Sequence, residues 1–181
     1  FYSISNCQDG LSRVTLGNFL IKRVVFEIQE ELPNINNFGT LSPIPGFRDW
    51  FINLDEKLVK NILGNIPLEN ISFLKSSSLK IGDTRILSNK NAIYKLVAHY
   101  LMNEKNQKQL PINDVCRFHL GNGAIIDDIV INANISEVGF NRSFGVMVNY
   151  LYELKNIEKN HEEYINNKTI IVSNKVKKLI Q

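Results

Sequence analysis

The sequence has few of the residues with which proteins build cross-links or metal sites. Its 181 residues include 2 cysteines, Cys7 and Cys116, and 3 histidines. The two cysteines lie far apart, without the Cys-x-x-Cys or Cys/His spacing that a zinc site or a redox pair requires. We therefore expect both thiols to be reduced and no metal to be bound.

Long apolar runs and an excess of charge are also missing. No segment approaches the ~20 apolar residues that span a bilayer, and 21 basic against 18 acidic residues leave a net charge of +3. Nucleic-acid interfaces usually concentrate Lys and Arg on one face, so we expect neither a membrane nor a nucleic-acid partner. A content of 44% hydrophobic and 22% charged residues predicts one domain with an ordinary core.

Apolar residues recur with both strand and helix periods. Alternation predicts extended segments at 1–5, 36–44 and 146–152, the last with Tyr150 and Tyr152 on one face. Helical spacing predicts helices over 16–32, 47–62, about 69–80, about 90–101 and about 167–180. Proline, asparagine and glycine predict a loop over 110–123 that carries His119. The mixture indicates an α/β or α+β domain.

Four blocks, in order, resemble one enzyme family. They are FYSISNCQDGLSRVTLGNFLIKRVV, FGTLSPIPGF, RFHLGNGA and GVMVNYLY, and together they closely resemble the C-terminal catalytic region of malonyl-CoA decarboxylases. The resemblance implies a GNAT-like acyl-CoA-binding fold, in which residues 1–181 form one incomplete domain that lacks its first strands and the N-terminal helical domain. It also implies a homo-oligomeric full-length protein, located in the cytoplasm or, in a eukaryote, in mitochondria.

The resemblance also assigns the site. It implies that Ser42 and His119 are the catalytic pair, with Tyr152 beside them. The loop that would wrap the coenzyme A pyrophosphate comprises Ser12, Arg13, Val14, Thr15, Leu16, Gly17 and Asn18. Small residues and the N–H groups of a helix N-terminus suit a phosphate, although glycines in such a loop often serve only a turn or close helix packing.

The implied reaction suits these side chains. Removing CO2 from a malonyl thioester leaves an enolate, whose charge must be stabilised and whose carbon must be protonated. His119 is suited to donate the proton and Ser42 to orient the substrate or accept a hydrogen bond, and no metal or prosthetic group is needed. Without the resemblance, a serine before proline and a histidine beside a turn more often have structural roles.

Two departures from the family pattern keep other functions open. Thr15 stands where the family's loop carries an acidic residue, and Asp127-Asp128 stand where an arginine-containing stretch is typical. The alternatives are a GNAT-type acyltransferase, which would need an acyl acceptor, and a non-catalytic acyl-CoA-binding fragment. A serine hydrolase is disfavoured because the Gly-x-Ser-x-Gly motif is absent.

Overall fold

The computed structural model describes residues 16–180. Within this range, short helices surround a small antiparallel sheet. The helices are α1 (Leu16–Glu31), α2 (Phe47–Ile52), α3 (Glu56–Leu63), α4 (Glu69–Ser72), α5 (Thr84–Ser88), α6 (Lys90–Met102), α7 (Asp114–Gly121), α8 (Glu137–Ser143), α9 (Ile157–Asn167) and α10 (Asn174–Ile180), and a 3-10 turn covers Phe73–Lys75. The strands are β1 (Phe38–Pro43), β2 (Ile125–Val130) and β3 (Met147–Tyr152).

The strands pair in the order β1-β3-β2, with β3 antiparallel to both neighbours. Thr40 lies opposite Tyr150 on one side, and Ile126 lies opposite it on the other. Residues that face each other across an antiparallel pair share a face of the sheet. The strands expected within 36–44 and 146–152 are therefore confirmed, as is the placement of both tyrosines on one face.

The hydrophobic core lies between the helices and one face of the sheet. Leu96 and Val97 on α6 are fully buried, and α6 packs against α3 and α10. On α2, Phe47 and Phe51 are buried and both meet the ring of Phe144 edge-on. Such aromatic pairs contribute about 0.5–1.5 kcal/mol beyond their burial. The mixed α/β class expected from the sequence is thus confirmed.

The expected loop over 110–123 is wrong, because His119 lies on α7. The Asn113 side chain caps this helix: its Oδ1 accepts a hydrogen bond from Cys116 N at 2.8 Å. The prolines and glycines that suggested a loop lie at or beside the two ends of a helix only about two turns long. They therefore mark the boundaries of the helix and say little about its interior. His119 therefore has a more rigid support than the sequence predicted.

Three other helix predictions need correction. The helix expected over 47–62 is two helices, because Asp55 accepts a hydrogen bond from Lys57 N at 2.7 Å and starts α3. The stretch 69–80 contains only α4 and the 3-10 turn. The helix expected over 167–180 begins at Asn174, since Lys168 adopts a left-handed φ of 57° that ends α9. Strand β2 and helices α5, α8 and α9 were not predicted from the sequence.

Candidate active site

Strand β1 delivers Ser42 to the buried face of the sheet, close to the strand's end. Thr40 and Ser42 are buried while Leu41 between them points outward. Just beyond Ser42, the carbonyl of Pro45 accepts hydrogen bonds from Tyr100 Oη at 3.0 Å and from Asn113 Nδ2 at 2.9 Å. Two donors on one carbonyl fix the strand's exit, so the Ser42 backbone is held on both sides.

Helix α7 ends in a turn that only glycine fits. Gly123 has a φ of +81°, and a Cβ at this position would lie 2.1 Å from the Ile157 carbonyl oxygen. Helix α9 secures the same turn: Asn160 Nδ2 donates to the Gly123 carbonyl at 3.2 Å, and His161 Nδ1 donates to the Gly121 carbonyl at 2.6 Å. The turn therefore fixes the C-terminal end of α7, where His119 sits.

Three hydroxyl side chains and the His119 ring form one buried hydrogen-bonded chain. Ser42 Oγ lies 2.9 Å from His119 Nε2, and Tyr152 Oη lies 2.7 Å from His119 Nδ1. At its other end, Ser42 Oγ donates to Thr40 Oγ1 at 3.2 Å. Ser42 and His119 are 6% and 5% exposed, and Tyr152 is fully buried. The predicted catalytic residues Ser42, His119 and Tyr152 thus lie together.

The direction of this chain follows from counting its protons. A hydroxyl has one proton, and that of Ser42 points to Thr40. The contact with His119 must then be donated by Nε2–H. In a neutral ring Nδ1 carries no proton and accepts the Tyr152 hydroxyl. With the Ser42 proton on the bond to Thr40, the neutral ring is the Nε2–H tautomer, with its proton directed at Ser42.

Burial keeps every titrating group of the site neutral. Desolvation lowers the pKa of His119 from 6.5 to about 4, because a charged ring would lose its hydration in this environment. Burial also raises the pKa of Tyr152 above its usual value of 10.0. At neutral pH the site therefore presents a neutral imidazole and a protonated phenol.

Two residues of this site were not predicted from the sequence. Thr40 Oγ1 accepts a hydrogen bond from the Ser42 hydroxyl, and the Tyr150 ring stacks on His119 with ring centroids 4.3 Å apart and planes 18° from parallel. Both lie on the face of the sheet that holds the predicted residues. The alternation of β1 and β3 was the available signal, because Thr40 precedes Ser42 and Tyr150 precedes Tyr152 by one strand repeat.

The other predicted site residues are elsewhere. Ser12, Arg13, Val14 and Thr15 lie outside the described residues, and Leu16, Gly17 and Asn18 belong to the first turn of α1 as described. Asp128 lies opposite Asn149, so it occupies the face of the sheet away from Ser42. Asp127 is on the same side, where its carboxylate accepts from Asn149 Nδ2 at 3.1 Å.

Residues 16–180 contain neither a cluster of metal-ligand side chains nor a membrane-spanning helix. No group of three or more His, Cys, Asp or Glu side chains in this part of the chain is arranged to hold a metal ion. None of the helices described here is both long enough and apolar enough to cross a membrane.

Comparison with known proteins gives matches over the whole chain. The family model for the malonyl-CoA decarboxylase C-terminal domain matches residues 1–181. The mitochondrial malonyl-CoA decarboxylase of Mus musculus is 35% identical over 99% of this chain and 40% of its own length. That of Anser anser anser is 37% identical over 97% of this chain and 38% of its own length.

Solved structures agree with these matches. A crystal structure of malonyl-CoA decarboxylase from Rhodopseudomonas palustris superposes with a TM-score of 0.83 at 38% identity, covering 100% of this chain and 41% of that chain. One from Cupriavidus metallidurans gives 0.81 at 36% identity, over 99% and 47%. The GNAT-like mixed α/β fold is thereby confirmed. The chain spans about two fifths of the length of the curated relatives it matches.

Proposed function

We propose that this chain, which belongs to the malonyl-CoA decarboxylase family, carries the catalytic site of an enzyme that converts malonyl-CoA to acetyl-CoA and CO2. The observation that carries the proposal is the 2.9 Å contact between Ser42 Oγ and His119 Nε2, two buried side chains. The whole match spans only part of the relatives' length, so the activity is assigned to the full-length protein that contains this chain.

The reaction requires one bond to break and one proton to be delivered. Cleavage of the bond between the malonyl methylene and its carboxylate releases CO2 and leaves the electron pair on the thioester as an enolate. When the hydroxyl of Ser42 turns from Thr40 to the substrate, it donates a hydrogen bond to the thioester oxygen or to the departing carboxylate. The Nε2–H of His119 then supplies the proton that the carbon receives.

A neutral histidine suits this proton transfer. With a pKa near 4 the ring is uncharged at neutral pH, so it transfers a proton only as charge develops on the substrate. The Tyr152 hydroxyl, 2.7 Å from Nδ1, stabilises the negative charge that the ring acquires as its proton leaves. Tyr152 thereby also selects the tautomer that faces Ser42. The ring regains its proton from solvent when the products leave.

The coenzyme A group is assigned to the segment Ser12–Asn18. Support comes from its small residues Ser12 and Gly17 and from helix α1, which covers Leu16–Glu31. Peptide N–H groups at the start of a helix attract phosphate oxygens. We propose no metal or prosthetic group. Asp127 and Asp128 belong to neither this segment nor the site.

The test uses the full-length protein and three variants. CO2 release and acetyl-CoA formation from malonyl-CoA are followed for wild type, Ser42→Ala and His119→Ala, without any added acyl acceptor. A positioned acid contributes about 10²–10⁴-fold, so we expect each variant to lose at least about a hundredfold in kcat. His99→Gln is the matched control, because His99 stacks on Trp50, away from Ser42.

Each alternative function gives a different result in this assay. Turnover that requires an added amine acceptor would replace the proposal with an acyltransferase. Binding of malonyl-CoA without CO2 release by wild type would replace it with a non-catalytic acyl-CoA-binding role. Wild-type release that survives both substitutions would retain the activity and reject the Ser42–His119 site.

Other properties remain predictions. A homo-oligomeric full-length protein and the absence of a nucleic-acid or membrane partner are expected from the sequence alone. For location, the relatives from Mus musculus and Anser anser anser carry "mitochondrial" in their names, which supports mitochondria for a eukaryotic source. The cytoplasm stays the expectation for a bacterial source.

A further inference from the structure

The hydrogen bonds of His119 leave one motion of its ring unconstrained. Ser42 and Tyr152 contact the two ring nitrogens at 2.9 and 2.7 Å. Two contacts on the edge of a planar ring define an axis through the nitrogens, and the ring can still tilt about that axis. A contact on its face is needed to fix the plane, and with it the direction of the Nε2–H bond.

Tyr150 supplies that contact. Its ring lies nearly parallel to the imidazole, with centroids 4.3 Å apart. Tyr150 is itself rigid, since it lies on the central strand β3 between Thr40 and Ile126 and is fully buried. Stacked aromatic pairs are more stable than burial alone would make them, so the stack favours one tilt of the imidazole over others.

The hydroxyl of Tyr150 makes a second link to the same helix. It lies beside the thiol of Cys116, whose own Sγ–H donates to the Leu101 carbonyl at 3.8 Å. Cys116 precedes His119 by about one helical turn, so the two share a face of α7. Tyr150 thus contacts α7 at one turn and the imidazole at the next.

We propose that Tyr150 is a positioning residue that fixes the plane of the His119 ring for proton transfer, a role that rests on the proposed decarboxylation. The stack also covers one face of the imidazole and excludes water from it. The groups around the ring are the hydroxyls of Ser42 and Tyr152, the stacked ring of Tyr150 and the edge-on ring of Phe118, and the described residues place no charged side chain against it.

Two substitutions in the full-length protein separate the ring from the hydroxyl. Tyr150→Phe keeps the stacked ring and loses the link to Cys116, so kcat should stay within about threefold of wild type. Tyr150→Leu removes the ring but keeps an apolar side chain. Misplacing a reacting group by about 1 Å costs about a hundredfold, so we expect kcat to fall about 10- to 100-fold while KM changes less than about threefold.

A second readout does not depend on turnover. Histidine labelled with ¹⁵N, assigned with His119→Asn, reports the tautomer and the titration of this one ring. In wild type and Tyr150→Phe we expect the Nε2–H form, neutral to well below pH 6. In Tyr150→Leu the titration midpoint should rise by at least about one unit, because water reaches the uncovered face.

Phe51→Leu is the matched control, since it also removes a fully buried ring, on α2, that packs on Phe144. It should lower stability but leave both kcat and the His119 titration unchanged. The proposal is overturned if Tyr150→Leu keeps the wild-type titration and kcat, or if Phe51→Leu reproduces its losses. If wild type releases no CO2, the proposed function fails, and the titration still decides whether Tyr150 holds the ring.

Discussion

The two faces of the sheet differ more than their shared strands suggest. On one face, Ser42, Tyr150 and Tyr152 are buried with His119. On the other, Leu41 is 49% exposed, and Asp128 forms a salt bridge with Lys175. Neighbouring residues of one strand therefore sit in a dry, uncharged site or beside water and charge.

The difference teaches how the strands tolerate change. Because successive side chains point to opposite faces, a residue next to a catalytic one in sequence can change its charge without entering the site. The departure at Asp127-Asp128 likewise adds charge outside the site, since the carboxylates contact Asn149 and Lys175 and not the hydroxyl chain. The change at Asp127-Asp128, which raised doubt about activity, thus lies on the face that carries Leu41 and Asp128, the wet face of the sheet.

The largest expected effect that distinguishes the two faces of the sheet is the pH dependence of stability. The folded pKa of His119 is about 4, against 6.5 without burial. Between these pH values His119 binds a proton in the unfolded chain but stays neutral in the folded site. The contribution of His119 to stability is therefore fully present above pH 6.5 and falls as the pH drops toward 4. At 1.36 kcal/mol per unit, the loss of unfolding free energy is about 3 kcal/mol.

Denaturant unfolding at a series of pH values measures this loss. His119→Gln should remove about 3 kcal/mol of the wild-type decline between pH 6.5 and 4, because Gln does not titrate. Subtracting the two curves cancels the carboxylates and the other histidines. Parallel curves for wild type and variant would mean that the site face is wetter than its geometry indicates, and the contrast between the faces would weaken.

A smaller effect concerns the hydroxyl that sets the tautomer of His119. Tyr152→Phe keeps the buried ring and removes the donor to Nδ1, so the proton can move from Nε2 to Nδ1 and away from Ser42. We expect kcat on malonyl-CoA to fall about tenfold, as loss of one positioned hydrogen bond to a reacting group does, while KM changes little.

Tyr164→Phe is the matched control for this change. Tyr164 on α9 is also buried, but its hydroxyl has no hydrogen-bond partner among residues 16–180. Removing that oxygen should leave kcat unchanged and stability equal or slightly higher. If both substitutions lowered kcat equally, the effect of Tyr152 would come from packing and not from the tautomer.

The sequence predicted two strands of the sheet, β1 and β3, and missed the third, β2. Alternation identified β1 and β3 because their buried side chains recur at every second residue. Strand β2 escaped detection because the bulge between Ile126 and Asp128 breaks that period, leaving Ile125 and Ile126 both buried. A single extra residue can hide a strand from any pattern of period two.

The site itself came from the family resemblance and not from periodicity. Local patterns did not show that Ser42 would meet His119, because this contact joins residues far apart in the chain through strand pairing and helix packing. The support of His119 by a helix was likewise hidden, since Asn113 and Gly123 look like loop residues until their roles as cap and turn are known. That Thr40 and Tyr150 lie opposite each other beside the site follows only from the register of β1 on β3.

The smallest expected effect lies on the wet face. The Asp128–Lys175 pair is partly solvated, with 60% of the Lys175 side chain and 20% of the Asp128 side chain exposed, and pairs at the surface contribute about 0–1 kcal/mol. Asp128→Asn should therefore change the unfolding free energy by less than about 1 kcal/mol, and less still at high salt. We expect kcat and KM for malonyl-CoA to stay within about twofold, because the carboxylate points away from Ser42.

Lys175→Gln and the double variant separate the pair from the ligand. If Asp128 acts only on Lys175, the two single changes and the double change give nearly the same kinetics at low and high salt. A salt-dependent fall in KM for Asp128→Asn, retained when Lys175 is already replaced, would mean that the carboxylate repels the coenzyme A phosphates. The wet face would then belong to the binding surface, and the departure at Asp127-Asp128 would bear on affinity while the buried face kept the chemistry.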